Sequence, residues 1–424
     1  MSFRRPRGTR DFLPGEMELR RMLESRICGI FRSFGYREVG TPTFEHLELI
    51  TAKSGEEIVE RLYSFQDKSG RWLALRPEFT APVMRMYVTS LQSEPKPLRL
   101  YYFGPCFRYE RPQAGRYREF WQAGVELIGS GTPEAQAEVV ALADTVLREL
   151  ELDYELHVGS VGVLRKLLAE HGAGEEEQVR VMGMIDRGEV EEALQRLEAL
   201  GGAELAELVE QLISLEGEAR EVARRAERVL EGHSGATGEL RSLGEIMEAL
   251  EWYGVEARLN LGIARGLDYY TGMVFEAYVP SLGAEKQVCG GGSYSLAEVF
   301  GGKPVPTSGF AFGFDRLLIA AELEPPVERR VMVIPMSREM VPGAVRVASE
   351  LRGRGVRCEL EVMGRKLGKA LAGANAKGVE YVVLVGEELR RGRVVLRDMR
   401  TGEQREVEVE RLGELPELSQ PSSP

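Results

Sequence analysis

No stretch of the 424 residues approaches the roughly 20 consecutive apolar positions that a helix needs to cross a bilayer. The opening MSFRRPRGTRDFLPGEME holds no apolar core of secretory-leader length. Cysteine is scarce. Cys28, Cys106, Cys289 and Cys358 lie far apart, with no Cys-x-x-Cys among them. Only four histidines occur, at 46, 157, 171 and 233, and none sits in a suggestive context. These absences argue against a disulfide framework and against a structural zinc site, and no protein-held metal is expected. They also leave no spacing argument for a Ser-His-Asp or Cys-His nucleophile. The chain reads as cytoplasmic and reduced, with no membrane partner. An excess of positive charge is missing too: the net charge is -12. A protein that coats nucleic acid indiscriminately is not expected, although a local basic surface remains open.

What is present is ordinary globular material, 43% hydrophobic and 29% charged, long enough for two or three domains. Apolar residues at three- and four-residue steps from Met17 to Phe31 predict an amphipathic helix over 16–35, closed by Gly35. Residues 36–44, with Pro42, read as an extended strand or edge. Strands are expected at 72–75, 97–103 and 119–128. Thr132 and Pro133 then open a helix running to about Leu150. Residues 173–250 are rich in Glu, Ala, Leu and Arg and read as a helical insert, a small module of its own. Strands return at 257–264 and 272–279, followed by a turn at Gly290-Gly-Gly292. Residues 310–321 read as a strand or loop running into a helix. After a linker at 324–330, alternating strands and helices over 331–412 predict a compact, mostly parallel α/β domain. A frayed tail is expected at 413–424.

Several constellations carry chemistry. Four arginines (Arg108, Arg111, Arg116 and Arg118) fall within eleven residues on a loop between two expected strands. A guanidinium keeps its proton and offers a planar fork to phosphate oxygens. Such a loop suits a nucleotide phosphate or a nucleic-acid backbone; a solvated hairpin is the plain alternative. The nearby aromatics Phe107, Tyr109, Tyr117 and Phe120 favour a structured loop able to stack on a base. In Gly309-Phe-Ala-Phe-Gly-Phe-Asp-Arg316 small residues alternate with large apolar ones. That pattern fits close approach by a flat ligand with Arg316 reaching a phosphate, or simply a buried strand entering a helix. Arg265-Gly-Leu-Asp-Tyr-Tyr270 lines a polar pocket or caps a hairpin. Arg76-Pro-Glu-Phe-Thr80 offers Glu78 and Thr80 at a constrained turn. Gln122 and Glu126, four apart on a strand, share a face.

Together these pieces resemble the class II aminoacyl-tRNA synthetases, and within them the histidyl-tRNA synthetases, over nearly the whole chain. Arg7-Gly-Thr-Arg-Asp-Phe-Leu-Pro14 is similar to the family's amino-terminal signature. The first helix with the Pro42 segment resembles the first class motif, Phe107 to Glu126 the second, and Gly309 to Arg316 the third. Arg265 to Tyr270 is similar to the histidine-specific signature. The resemblance implies an α/β chain with an α+β catalytic core: an antiparallel sheet with helices over 1–170 and 251–323, a helical insertion domain at 171–250, and an α/β anticodon-binding domain at 331–412. It implies a homodimer that joins L-histidine to tRNA(His) through histidyl-adenylate, using ATP and Mg2+. Arg108, Arg265 and Arg316 are then the catalytic cations. Glu78, Phe79, Thr80, Arg108, Gln122, Glu126, Arg265, Tyr269 and Tyr270 bind histidine. Arg108, Glu110 and Arg316 bind ATP, and Gln113, Arg116 and Arg118 meet tRNA. A second basic set (Arg365, Lys366, Lys369 and Lys377) is expected on a helix of the last domain, facing the anticodon stem or solvent. One departure stands out. Where the family often has Gly-Gly-Arg-Tyr-Asp, this chain has Ser293, Tyr294 and Ser295 after its glycines, leaving Tyr294 at most a lining role. The rival reading is the histidine-sensing regulatory subunit of ATP phosphoribosyltransferase, which generally lacks an anticodon domain and the catalytic arginines.

Overall fold

The computed structural model describes residues 3–52, 59–111, 116–263, 269–324 and 329–418. They form two compact units, Met1–Leu323 and Glu324–Pro424. The first helix, Pro14–Ser33, uses Pro14 at its start, where a missing N–H costs nothing, and buries Leu23, Ile27 and Phe31 along one stripe. Beyond Gly35, whose φ is +82°, the chain turns into the short strand β1 (Arg37–Glu38). The expected single strand over 36–44 is broken. Pro42 lacks a donor and the segment around it leaves the ladder, re-entering as β2 (Phe44–His46). β2, β3 (Ser64–Gln66) and β4 (Trp72–Leu75) make a small antiparallel sheet in the order β2-β4-β3.

The main sheet has nine strands. β5 (Leu98–Phe107) and β6 (Glu119–Ile128) form its long hairpin. β7 (Glu155–Ser160), β8 (Glu216–Gly217), β9 (Arg258–Asn260), β10 (Tyr270–Tyr278), β11 (Gln287–Tyr294) and β12 (Thr307–Gly313) complete it in the order β1-β5-β6-β12-β11-β10-β7-β9-β8. From β5 through to β7 every pairing is antiparallel. Gly290-Gly-Gly292, expected as a turn, lies inside β11 instead. The reason is room. A Cβ on Gly291 would lie 2.5 Å from the Phe310 Cβ, and one on Gly292 would lie 2.9 Å from the Tyr270 ring. Phe31, Tyr101, Phe275, Phe310 and Phe312 interlock on the helix-covered face, with ring centroids 5.1–6.0 Å apart. The opposite face is left with small and polar side chains.

The helices of the insert are not walled off from this core. Helix Ser234–Trp252 packs on helices Pro133–Glu149 and Val161–Glu170, and its Leu243, Ile246 and Leu250 join the same buried cluster as the sheet. Helix Pro133–Glu149 opens as expected: Thr132 accepts the Ala135 N–H on its side-chain oxygen, and Pro133 follows.

In the second unit β13 (Val331–Pro335), β14 (Cys358–Leu360) and β15 (Tyr381–Val385) are parallel. β16 (Arg393–Asp398) and β17 (Gln404–Glu408) add an antiparallel pair beside β15. The expectation of a mostly parallel domain is met by three strands of five. Helix Val341–Gly353 covers one face through Ala344, Val347 and Leu351; helix Leu367–Ala376 covers the other through Ala370 and Ala374. The expected fray after 412 does not begin there, because Leu418 is buried in the first of these faces.

Candidate active site

Strand register assembles the site. Glu126 of β6 lies opposite Gly309 of β12, Gly309 opposite Gly292 of β11, and Tyr294 opposite Tyr270 of β10. With side chains alternating across a sheet, Gln122, Glu126, Gly309, Ala311, Gly313, Gly290 and Tyr294 share one face. All but Glu126, which sits just beneath, line a cavity of about 230 Å³. The alternation read in residues 309–316 is therefore a division of labour. Gly309, Ala311 and Gly313 keep the cavity floor low, while Phe310, Phe312 and Phe314 anchor the strand and the start of helix Phe314–Ala320 in the core.

Two buried acids, Glu78 and Glu126, underlie the cavity. Glu126 is 1% exposed. Its Oε1 accepts the Thr80 hydroxyl at 2.9 Å and the Tyr102 phenol at 3.4 Å, and its Oε2 accepts the Tyr294 phenol. Burial pushes the Glu126 carboxyl up to about 8, against the pull of the hydroxyls and with a further push from the Glu78 charge. Glu78 is buried at the start of helix Thr80–Met86, where its carboxylate accepts the backbone N–H groups of Thr80 and, at 3.0 Å, Ala81. Burial raises the Glu78 carboxyl; the backbone donors and Arg108 oppose that shift. The rings of Tyr269 and Tyr270 lie 4.7 Å apart, and Tyr269 meets Tyr294 at 5.3 Å.

Cations rim the cavity. Arg108 is held from both sides: its Nε donates to the Pro77 carbonyl at 3.0 Å, and its guanidinium lies 5.2 Å from the Phe120 ring centroid. Arg316 donates to the Gln287 carbonyl at 2.6 Å. Glu110 pairs with Arg116 at 3.0 Å and with Arg61 at 3.6 Å. Gln122 accepts the Cys106 thiol at 3.2 Å.

Glu78, Thr80, Arg108, Glu110, Arg116, Gln122, Tyr269, Tyr270 and Arg316 thus share one cavity lining, and Glu126 lies directly behind it, bonded to the lining residues Thr80, Tyr102 and Tyr294. Phe79 does not. Its ring is buried and stacks on Tyr102 at 4.4 Å, with the Arg76 guanidinium 3.9 Å over it, so it supports the floor from beneath. Arg118 is drawn into the loop's own structure: its Nε donates to the Glu110 carbonyl, its N–H to Gly8, and its guanidinium covers Tyr109. Arg265 and Gln113 lie outside the described residues.

Sequence reasoning passed over Tyr102 and Asp315. Asp315 is 3% exposed; its Oδ1 accepts from Arg10 and Arg20, each at 2.6 Å, and its Oδ2 accepts the Trp121 N–H at 2.8 Å. The signal was an acid beside Arg316 in an otherwise apolar run. Away from the cavity, helix Ala219–Val229 turns Arg224, Arg225 and Arg228 to solvent. In the second unit Arg365, Lys366 and Lys369 are exposed, whereas Lys377 pairs with Glu359 at 2.5 Å.

Buried acids under a rim of fixed guanidinium groups suit an enzyme that joins a small cationic substrate to a nucleotide phosphate, as class II aminoacyl-tRNA synthetases do. Comparison with known proteins narrows the class. Residues 8–317 match the family model for histidyl-tRNA synthetase, and residues 330–415 match that for an anticodon-binding domain. A histidine–tRNA ligase of Archaeoglobus fulgidus is 50% identical over 97% of this chain and 99% of its own length; one from Methanocaldococcus jannaschii is 46% identical over 97% and 98%. Among solved structures, the apo histidyl-tRNA synthetase of S. aureus matches at a TM-score of 0.70 and 26% identity, covering 97% of this chain and 99% of its own. A Bacillus halodurans protein described as an ATP phosphoribosyltransferase regulatory subunit/histidyl-tRNA synthetase matches at 0.78 and 27%, covering 91% and 98%. The chain belongs to the histidyl-tRNA synthetase family.

Proposed function

We propose that this enzyme activates L-histidine with ATP and transfers it to the 3′ end of tRNA(His). The carrying observation is Glu126, a buried carboxyl group held by the hydroxyls of Thr80, Tyr102 and Tyr294, which line a cavity rimmed by Arg108 and Arg316. In the first step the histidine carboxylate attacks the α-phosphorus of ATP; histidyl-adenylate forms and pyrophosphate leaves. In the second the terminal ribose hydroxyl of tRNA attacks the activated carbonyl and AMP leaves. Arg108 holds the α-phosphate and the substrate carboxylate, Arg265 faces the α-phosphate, and Arg316 holds the departing phosphates with Glu110 nearby. Fixed cations stabilise the charge that grows on phosphate oxygens without reorganising. Glu78, Thr80 and Gln122 take the α-ammonium. Glu126 and Tyr270, with Tyr269 beside them, read the two imidazole nitrogens, one donor and one acceptor.

Magnesium fits only as a passenger on the nucleotide. Among the described residues no group of three metal-ligating side chains exists, so phosphate oxygens would supply most of its ligands. It would screen phosphate charge there. The exposed arginines of helix Ala219–Val229 suit the acceptor stem, with Arg116 and Gln113 near the acceptor end. Arg365, Lys366 and Lys369, beside the exposed Val362 and Met363, suit the anticodon stem. The exposed aromatics Phe44, Phe65 and Trp72 on the small sheet supply an apolar face for a homodimer. No helix among the described residues is long and apolar enough to cross a membrane; the enzyme's use of tRNA supports a cytoplasmic location. The anticodon-type unit and the cations Arg108 and Arg316 set it apart from a regulatory paralogue.

Replacing Arg265 by His tests the step assignment. Single-turnover adenylate formation is expected to slow by about 10²–10³-fold with histidine affinity little changed. Equal losses in both would reduce Arg265 to a shaper of the pocket.

A further inference from the structure

The Glu126 carboxylate is gripped from three separate elements. Thr80 comes from the start of helix Thr80–Met86, Tyr102 from β5 and Tyr294 from β11. Thr80 and Tyr102 both donate to Oε1, which fills its two lone pairs. Tyr294 donates to Oε2. Among the described residues this leaves Oε2 one lone pair, and a side chain at Gly309 would overlap that oxygen. Tyr294 itself is 3% exposed and is fixed by ring contacts with Tyr269 at 5.3 Å and Tyr270 at 6.4 Å.

We propose that Tyr294 is a specificity-determining positioning residue, whose phenol pins Oε2 of Glu126 so that the remaining lone pair of that oxygen meets an imidazole N–H of the substrate. The inference rests on Glu126 being the group that reads the imidazole. Tyr294 does not touch the reacting atoms; it acts through Glu126.

Two consequences follow from the surroundings of the carboxylate. Its neighbours are Glu78, whose charge raises it, and the phenols of Tyr102, Tyr269 and Tyr294, which burial keeps neutral and therefore able to donate. Arg108 acts on Glu78 and opposes that acid's rise. The Tyr294 hydrogen bond is the foremost influence holding the Glu126 carboxyl down against burial. Without it the carboxyl keeps its proton to higher pH. With both Oε1 lone pairs taken, the proton sits on Oε2 and occupies the lone pair that would accept the imidazole N–H.

The test uses the full chain and histidine-dependent pyrophosphate exchange from pH 6 to 9.5. Tyr294→Phe keeps the ring and removes the hydroxyl. The KM for histidine is expected to rise about tenfold near neutrality. The KM for ATP stays within about twofold, and the pH at which the histidine KM improves moves up by about one unit. Glu126→Gln, measured alongside, should raise the histidine KM and abolish that pH-dependent limb. An unchanged histidine KM and pH profile in Glu126→Gln would sink the reading of Glu126. A responsive Glu126→Gln together with an unmoved profile in Tyr294→Phe would sink the role of Tyr294. Parallel rises in both KM values with a lowered Tm and no pH shift would also overturn it, as loss of packing.

Discussion

A carboxyl group deep in a protein resists ionisation, and Glu126, with no cation beside it among the described residues, is such a group. Its hydrogen bonds come from neutral hydroxyls, and burial outweighs them. In the unfolded chain the same carboxyl titrates in the ordinary range, near 4.5. Its folded value is the higher of the two. Glu126 therefore contributes stability that is fully present below about 4.5 and is lost as pH rises to about 8. Glu126→Gln removes that dependence. Relative to wild type, the variant should gain stability between pH 5 and pH 8 by about 2–4 kcal/mol, read from denaturant unfolding at the two pH values. It should at the same time lose histidine activation. A gain that does not grow with pH would mean the site is better solvated than its burial implies. At this scale the sequence was readable where a residue type stood alone in a telling place: an acid on a strand, or an arginine at a helix start. It was unreadable where the role depends on a neighbour distant in the chain. Tyr294 meets Glu126 across 168 residues and Asp315 meets Arg20 across 295.

Among elements, alternation and close approach decide most of the architecture. The strand at 119–128 and the helix opening at Thr132 were legible because period and capping are local. The Gly290–Gly292 run was misread because glycine marks both turns and crowded strands, and only the facing residues Phe310, Phe275 and Tyr270 distinguish them. The extended strand or edge expected over 36–44 survives as the edge strand β1 and the start of β2, parted at Pro42, which cannot serve a ladder. Asp315 ties three elements together: the amino-terminal segment through Arg10, helix Pro14–Ser33 through Arg20, and β6 through Trp121. Arg20 is itself 3% exposed. Asp315→Ala leaves its charge buried and unpaired, and a loss of about 3–5 kcal/mol in unfolding free energy is expected. A loss below about 1 kcal/mol would show that the network relaxes into solvent.

The whole molecule divides between two units with separate cores, one holding the cavity and the other a basic surface on an α/β sheet. The division was legible in the Pro-rich linker and the change of pattern at residue 331. The continuity of the insert with the catalytic core was not, since composition alone marks helices and says nothing of what they pack against. Because every described residue of the cavity lining belongs to the first unit, a fragment of residues 1–323 should retain histidine-dependent pyrophosphate exchange within about tenfold. It should lose about 10²-fold or more in tRNA charging, as one of two linked binding surfaces is removed. Exchange abolished in a folded fragment would mean that the second unit helps build the site.

The most direct measurement is pyrophosphate exchange into ATP by the full-length enzyme, with each of the twenty amino acids supplied singly. Exchange with L-histidine is expected to exceed that with every other amino acid by about 10⁴-fold or more, since a site built on buried hydrogen bonds rejects substrates that leave them unmade. Exchange supported by a different amino acid, or by none, would contradict the account of Glu126, Tyr270 and the arginine rim.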